Sequence, residues 1–177
     1  MDTYTGHITK LKPNQVFIFG SNLSGFHGAG AAGYASFGVA GNQWRKFNYA
    51  DKPKGWKGKW NVKGVGEGFQ EGTEGKSYAL PTVLNAGNMQ SLTKEQIQDN
   101  IKKLYKFAEE NPSWEFIIAY CDDGNILLNG YTIDDMVEMF CYHDIPKNVV
   151  FEIQFKKKVT ALLDEKNDTF EWGTTHL

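Results

Sequence analysis

The apolar positions of this chain fall into short runs and two kinds of period. Val16 to Phe19 is a continuous apolar run of β-formers, preceded by Pro13 and Asn14 and ending at Gly20, which predicts a buried central strand. Ser77 to Thr82, closed by Pro81, and Glu115 to Tyr120 predict two more. Val149 to Phe155 alternates Val149, Phe151, Ile153 and Phe155 against Val150, Glu152 and Gln154, the period of a half-exposed strand nearer an edge. Leu92, Ile97, Ile101, Leu104, Tyr105 and Ala108 recur at helical spacing, predicting a helix over 92–110 that Asn111-Pro112 ends. Its N-cap is Ser91 or Thr93, and Thr93 with Gln96 three residues later satisfies the capping-box pattern. Thr132 to Cys141 predicts a second helix, with Ile133, Met136, Val137 and Phe140 inward.

Strands alternating with helices predict one α/β domain over 1–177, three-layered, with a largely parallel or mixed sheet and ligands outside the carboxyl ends of its strands. Two stretches do not fit this alternation. Residues 41–76 form an insert rich in glycine, lysine and aromatics, among them Trp44, Trp56, Trp60 and Phe69. It reads as a long loop, either a linker or a flap over a neighbouring cleft. The tail from Lys156 to Leu177 has no clear place beyond a short amphipathic piece at Val159 to Leu163.

Composition narrows the partners. A net charge of −2 spreads no broad positive field, which argues against nucleic acid except as the carrier of a modified group, and against anionic membranes. No stretch approaches the roughly 20 apolar residues of a membrane span, and Met1 to Gly6 lacks the features of an export signal. The two cysteines, Cys121 and Cys141, make neither a disulfide framework nor a zinc ribbon, so a reducing cytoplasm is expected.

The chemistry concentrates after the first strand, where Ser21 and Asn22 lead into a glycine-rich run, Gly25-Phe26-His27-Gly28-Ala29-Gly30, and then into alanines that start a helix. Amides at a helix N-terminus lack intrahelical partners and favour phosphate, and glycines let it come close. A tight strand-to-helix turn packed on a neighbour would use the same residues. Gly28 to Gly33 matches the dinucleotide fingerprint letter for letter, yet seven residues separate it from Gly20 and Asp51 follows a poor strand, so a Rossmann unit is disfavoured. Gly75-Lys76-Ser77 resembles the end of a P-loop, but Gln70 stands where that pattern needs glycine.

The run Phe19-Gly20-Ser21-Asn22-Leu23-Ser24-Gly25-Phe26-His27-Gly28-Ala29-Gly30-Ala31-Ala32 resembles the opening of a macrodomain-like family common in phages and bacteria. Gly75 to Thr82, Gly130-Tyr131 with Ile133 to Phe140, and Ile145 to Val149 follow in that family's order, over about residues 15–155. The resemblance implies a three-layer α/β/α macrodomain-like sandwich with a mixed central sheet, in phage or bacterial host cytoplasm, whose better-known relatives bind ADP-ribose or remove it. It places Asn22 at a ribose, makes Gly25 to Ala31, with Gly28, Ala29 and Gly30, resemble the diphosphate-binding loop with His27 next to it, and puts Asp123 and Gly124 on a second wall; Gly20 and Ser21 join the ligand-binding set at the strand end.

Where relatives carry a short glycine-cysteine-glycine turn, this chain has Cys121 to Asn129, longer and acidic. Adjacent Asp122 and Asp123 would repel a diphosphate unless one points away or a divalent cation intervenes; the residues otherwise ask for no cofactor. Asp122 is a candidate general base for hydrolysis of an ADP-ribosyl linkage, with Asn22 as its partner in catalysis, although an Asp-Asp-Gly turn is also ordinary loop chemistry. His7, His143 and His176 lack ligand spacing, so no intrinsic metal is expected. The expected partner is thus a nucleotide-type small molecule, held or hydrolysed. The alternatives are a non-catalytic binder that sequesters a nucleotide signal and a protein-interaction module using the aromatic insert.

Overall fold

The computed structural model describes residues 3–6, 8, 10–24, 31, 32, 35, 66–72, 74–85, 88–119 and 129–175. Among them, six strands form one mixed sheet: β1 (Thr3–Tyr4), β2 (Gln15–Asn22), β3 (Gly68–Glu71), β4 (Lys76–Val83), β5 (Glu115–Ile118) and β6 (Val149–Glu152). Three helices accompany it: α1 (Lys94–Glu110), α2 (Ile133–Cys141) and α3 (Ile153–Thr175). The sheet order is β1-β6-β5-β2-β4-β3, with every neighbouring pair parallel except β3 and β4. None of the helices is long and apolar enough to cross a membrane, among the described residues.

Alternation along the buried strands sorts side chains between two faces. Val16 and Ile18 of β2, Tyr78 and Leu80 of β4, Phe116 and Ile118 of β5, and Val149 and Phe151 of β6 join Ile97, Ile101, Leu104, Met136, Phe140, Phe155 and Val159 in the main core. All three helices therefore cover this face. Phe17, Phe19 and Ala79 form a smaller cluster with Ala35, against which Ala31, Ala32, Ile8, Leu11 and Ala119 pack. Ala31, Ala32 and Ala35 are helical, as the alanines predict.

The capping chemistry places α1 and α2 closely. Thr93 accepts from the Gln96 amide while Gln96 reaches back to the Thr93 amide, and Asn111 caps the other end. Thr132 and Asp135 form a second capping box at α2, with aspartate in the role usually given to glutamate or glutamine.

Five expectations change. β2 continues past Gly20 to Asn22, because Gly20, Ser21 and Asn22 still pair with β4. β4 runs through Pro81 to Val83, since the proline falls where the register shifts. Val149 to Phe155 is not one half-exposed strand. All four residues of β6 are buried, and α3 begins at Ile153, its first amides satisfied by Glu152, whose Oε2 accepts from Gln154 N (2.8 Å) and Phe155 N (3.1 Å). The tail left unplaced is thus mostly α3. Within the insert read as a loop, Gly68 to Glu71 is an edge strand antiparallel to β4; its residues 41–65, including Trp44, Trp56 and Trp60, lie outside the described residues.

Candidate functional site

The carboxyl ends of β2 and β5 lie side by side, and the described helical residues that follow each pack on opposite faces of the sheet. Beyond β2 come Ala31, Ala32 and Ala35, on the Phe17/Phe19 face; beyond β5 comes α2, on the Val16/Ile18 face. Two adjacent parallel strands whose continuations diverge in this way open a crevice between their ends, the usual ligand position in an open α/β sheet. That position here lies between Gly20, Ser21 and Asn22 on one side and Ile118 and Ala119 on the other. Ala119 N donates to Ile18 O (2.8 Å), and the Tyr4 hydroxyl reaches from β1 to Ile118 O (2.6 Å).

Ser21 is buried and its hydroxyl donates to Gly66 O at 2.5 Å, tying the end of β2 to the chain that enters β3. Asn22 is 6% exposed, and its Oδ1 accepts from Ser24 Oγ at 2.6 Å. That contact orients the carboxamide, which a buried Asn needs to present a defined edge to a ligand. Glycine at position 20 is not a steric requirement, because a Cβ there would make ordinary contact with Thr82 at 3.5 Å.

The β2–β4 ladder has an irregularity at this end. Ser21 pairs with Pro81, but Asn22 pairs with Val83, so Thr82 is the extra residue of a bulge. A proline in a central strand is compatible with such a bulge, because it has no N–H for a regular ladder. Thr82, itself buried, donates from Oγ1 to Ser21 O at a long 3.5 Å, and Asn100 of α1 donates from Nδ2 to Pro81 O at 3.1 Å. Past the bulge the pairing resumes, with Leu23 N on Val83 O and Ser24 N on Leu84 O. Leu23 and Leu84 are both exposed beside the strand ends.

On the α2 side, Gln90 N donates to Asn129 O (2.7 Å) and Gln90 Nε2 to Gly130 O (2.9 Å), while the Tyr131 hydroxyl donates to Leu92 O (2.7 Å). These bonds hold the entry to α2 against the segment joining β4 to α1. Gly130 has φ +87, and a Cβ there would come 2.8 Å from Met89 Cβ, so both conformation and space require glycine.

Of the residues expected at the site, Gly20, Ser21 and Asn22 converge at the crevice, and Ala31 packs on the adjacent face. Gly25, His27, Gly28, Ala29, Gly30, Asp122, Asp123 and Gly124 lie outside the described residues. The described carboxyl ends of β2, β4 and β5 carry no ionisable side chain, so their chemistry is hydrogen bonding. No group of three His, Cys, Asp or Glu able to hold a metal occurs among the described residues. Thr82, Ser24, Gly66 and Asn100 surround the strand ends without having been expected to; the one signal for them in the sequence is Pro81-Thr82 following the apolar run Tyr78-Ala79-Leu80. Cys141 is buried in the main core, and burial pushes its thiol pKa up, which makes it inert.

No protein-family model matches the chain, and neither a curated protein nor a solved structure matches it.

Proposed function

We propose that this chain binds ADP-ribose or a related phosphate-bearing nucleotide in the crevice between the carboxyl ends of β2 and β5, within a three-layer macrodomain-like domain. The observation that carries the reading is the divergence of the chain beyond these two parallel strands, with Asn22 and the glycine-rich run following one and the acidic run following the other. The resemblance of Phe19 to Ala32 to the macrodomain-like opening supports the same ligand class. Asn22, oriented by Ser24, is the side chain assigned to the ribose. The glycine-rich run supplies backbone amides to the phosphates, and Asp122 is the residue assigned to any hydrolysis of an ADP-ribosyl bond.

The test is a thermal-shift screen against ADP-ribose, NAD, cyclic and linear nucleotides and phosphate, with and without magnesium, followed by chromatography of each mixture. A ligand at one hundred times its dissociation constant adds about 2.7 kcal/mol, which raises the midpoint of a chain this long by roughly 5–10 °C. Asn22→Ala is expected to remove the shift while the chain stays folded. An intact ligand marks a binder, and conversion abolished by Asp122→Ala marks a hydrolase. No shift with any nucleotide would overturn the proposal and move weight to the aromatic insert as a protein-binding face.

A further inference from the structure

We infer that Asn100, on α1 and outside the crevice, is a positioning residue for the nucleotide site, acting through the Pro81–Thr82 bulge on the end of β2; the inference rests on the binding reading above.

The argument begins with Pro81. A residue without an N–H cannot donate to a ladder, and Pro81 stands in the β2–β4 pairing past the end of the antiparallel β3–β4 pairing, one residue before the pairing of Asn22. The bulge that results leaves Thr82 with no register partner and sets Asn22 opposite Val83. A bulge has more than one way to relax, so its geometry depends on what holds it. Two side chains do so. Thr82 Oγ1 bonds to Ser21 O, across to β2, and Asn100 Nδ2 bonds to Pro81 O, down to α1. The first is long, at 3.5 Å, and the second is ordinary, at 3.1 Å, so the contact with α1 is the firmer of the two.

α1 itself is well fixed. Ile97 and Ile101, which flank Asn100, are fully buried in the main core, and Thr93 caps the helix about two turns before Asn100. Asn100 therefore transmits the position of a rigid helix to the carbonyl of Pro81, and the bulge passes it to Asn22 and to the Leu23 and Ser24 amides that bond Val83 and Leu84. Ser24 in turn holds the Asn22 carboxamide. Without the Asn100 bond the strand end can slip between pairings, and Asn22 loses its defined orientation.

The test compares full-length wild type with Asn100→Ala, Asn100→Asp and Asn100→Gln, and with Asn148→Ala as a stability control at the opposite end of the sheet. Amide hydrogen exchange at Leu23 and Ser24 and ADP-ribose affinity by calorimetry are read under conditions where all variants are folded. The expected result is faster exchange at Leu23 and Ser24 in Asn100→Ala and Asn100→Asp, with affinity about five- to tenfold weaker, the scale of one lost hydrogen bond. Asn100→Gln, which keeps an amide donor, recovers part of both, and Asn148→Ala moves neither. Unchanged exchange at Leu23 and Ser24 in Asn100→Asp overturns the inference, as does unchanged affinity. A wild-type chain that takes up no ADP-ribose overturns the binding reading instead, and exchange alone then decides whether Asn100 holds the strand end.

Discussion

Gly66 passes so close over the end of β2 that a Cβ on it would collide with the carbonyl oxygen of Asn22 and come within 2.9 Å of the Leu23 Cα. Both obstacles are backbone, held in the sheet, and neither can move aside as a flexible side chain would. The hydroxyl of Ser21 completes the contact by donating to the Gly66 carbonyl. The chain entering β3 thus closes one side of the strand end on which Asn22 stands.

Gly66→Ala should therefore cost about 1–3 kcal/mol, the scale of overpacking at a site that cannot relax. For a chain of this size that is roughly 2–12 °C in the thermal midpoint. Ser21→Ala, which removes only the tie, should lower the midpoint less. A midpoint unchanged in Gly66→Ala would mean that this approach is looser than the geometry implies.

Asn148 joins three segments at the other end of the sheet. Its Nδ2 donates to the carbonyls of Ala108 (2.9 Å), Asn111 (3.1 Å) and Trp114 (3.0 Å), where α1 ends and β5 begins. Asn148→Ala removes one donor from each carbonyl, although Ala108 O keeps the Asn111 amide and Asn111 O keeps the Trp114 amide, and should cost about 1 kcal/mol, measured by urea unfolding. Asn148→Asp should be worse at pH 7, because it turns a carboxylate towards three carbonyl oxygens. Acidification to about pH 4, where an ordinary aspartate takes up its proton, should narrow the gap between the two variants. A constant gap would show that the aspartate turns away.

Asp135 links the two capped helices, bonding Lys94 at 3.0 Å. The Thr132 backbone N–H, followed by the Lys94 ammonium, holds its carboxyl below the usual aspartate range. A depressed carboxylate stabilises the fold above the unfolded value, near pH 4, and the gain is lost as pH falls through the lower folded value. Wild type should exceed Asp135→Asn in urea midpoint at pH 7, and the difference should shrink at pH 3. The pair is partly exposed, so the difference should be modest. A difference that grows on acidification would reverse the assignment.

Local signals that need no distant partner were legible in the chain. The Thr93/Gln96 box, the stop at Asn111, and the inward faces of α1 and α2 follow from side chains within a turn or two of each other. The apolar runs at Val16–Phe19, Ser77–Thr82 and Glu115–Tyr120 marked the three adjacent strands β2, β4 and β5, since strands covered on both faces leave a continuous hydrophobic record. β1 and β3 left no such record. They are short edge strands, two and four residues long, and exist because β6 and β4 offer them a ladder. The alternation in Val149 to Phe155 misled for the opposite reason, since Glu152 looked like a solvent-facing residue and is a buried cap of α3.

The site divides in the same way. Ser21 and Asn22 could be placed at the end of a central strand from the sequence alone, because the apolar run before them and the glycine-rich run after them are adjacent in the chain. That β5 is their neighbour, that a bulge shifts Asn22 onto Val83, and that Gly66 and Asn100 hold the strand end are relations between residues 19 to 100 positions apart. Sequence determined which segments prefer to be strand or helix and which of their faces are apolar, because those preferences reside in neighbouring residues. Strand order, register and the contacts that shape the crevice were decided only by tertiary structure, because burying those apolar faces together is a property of the whole chain.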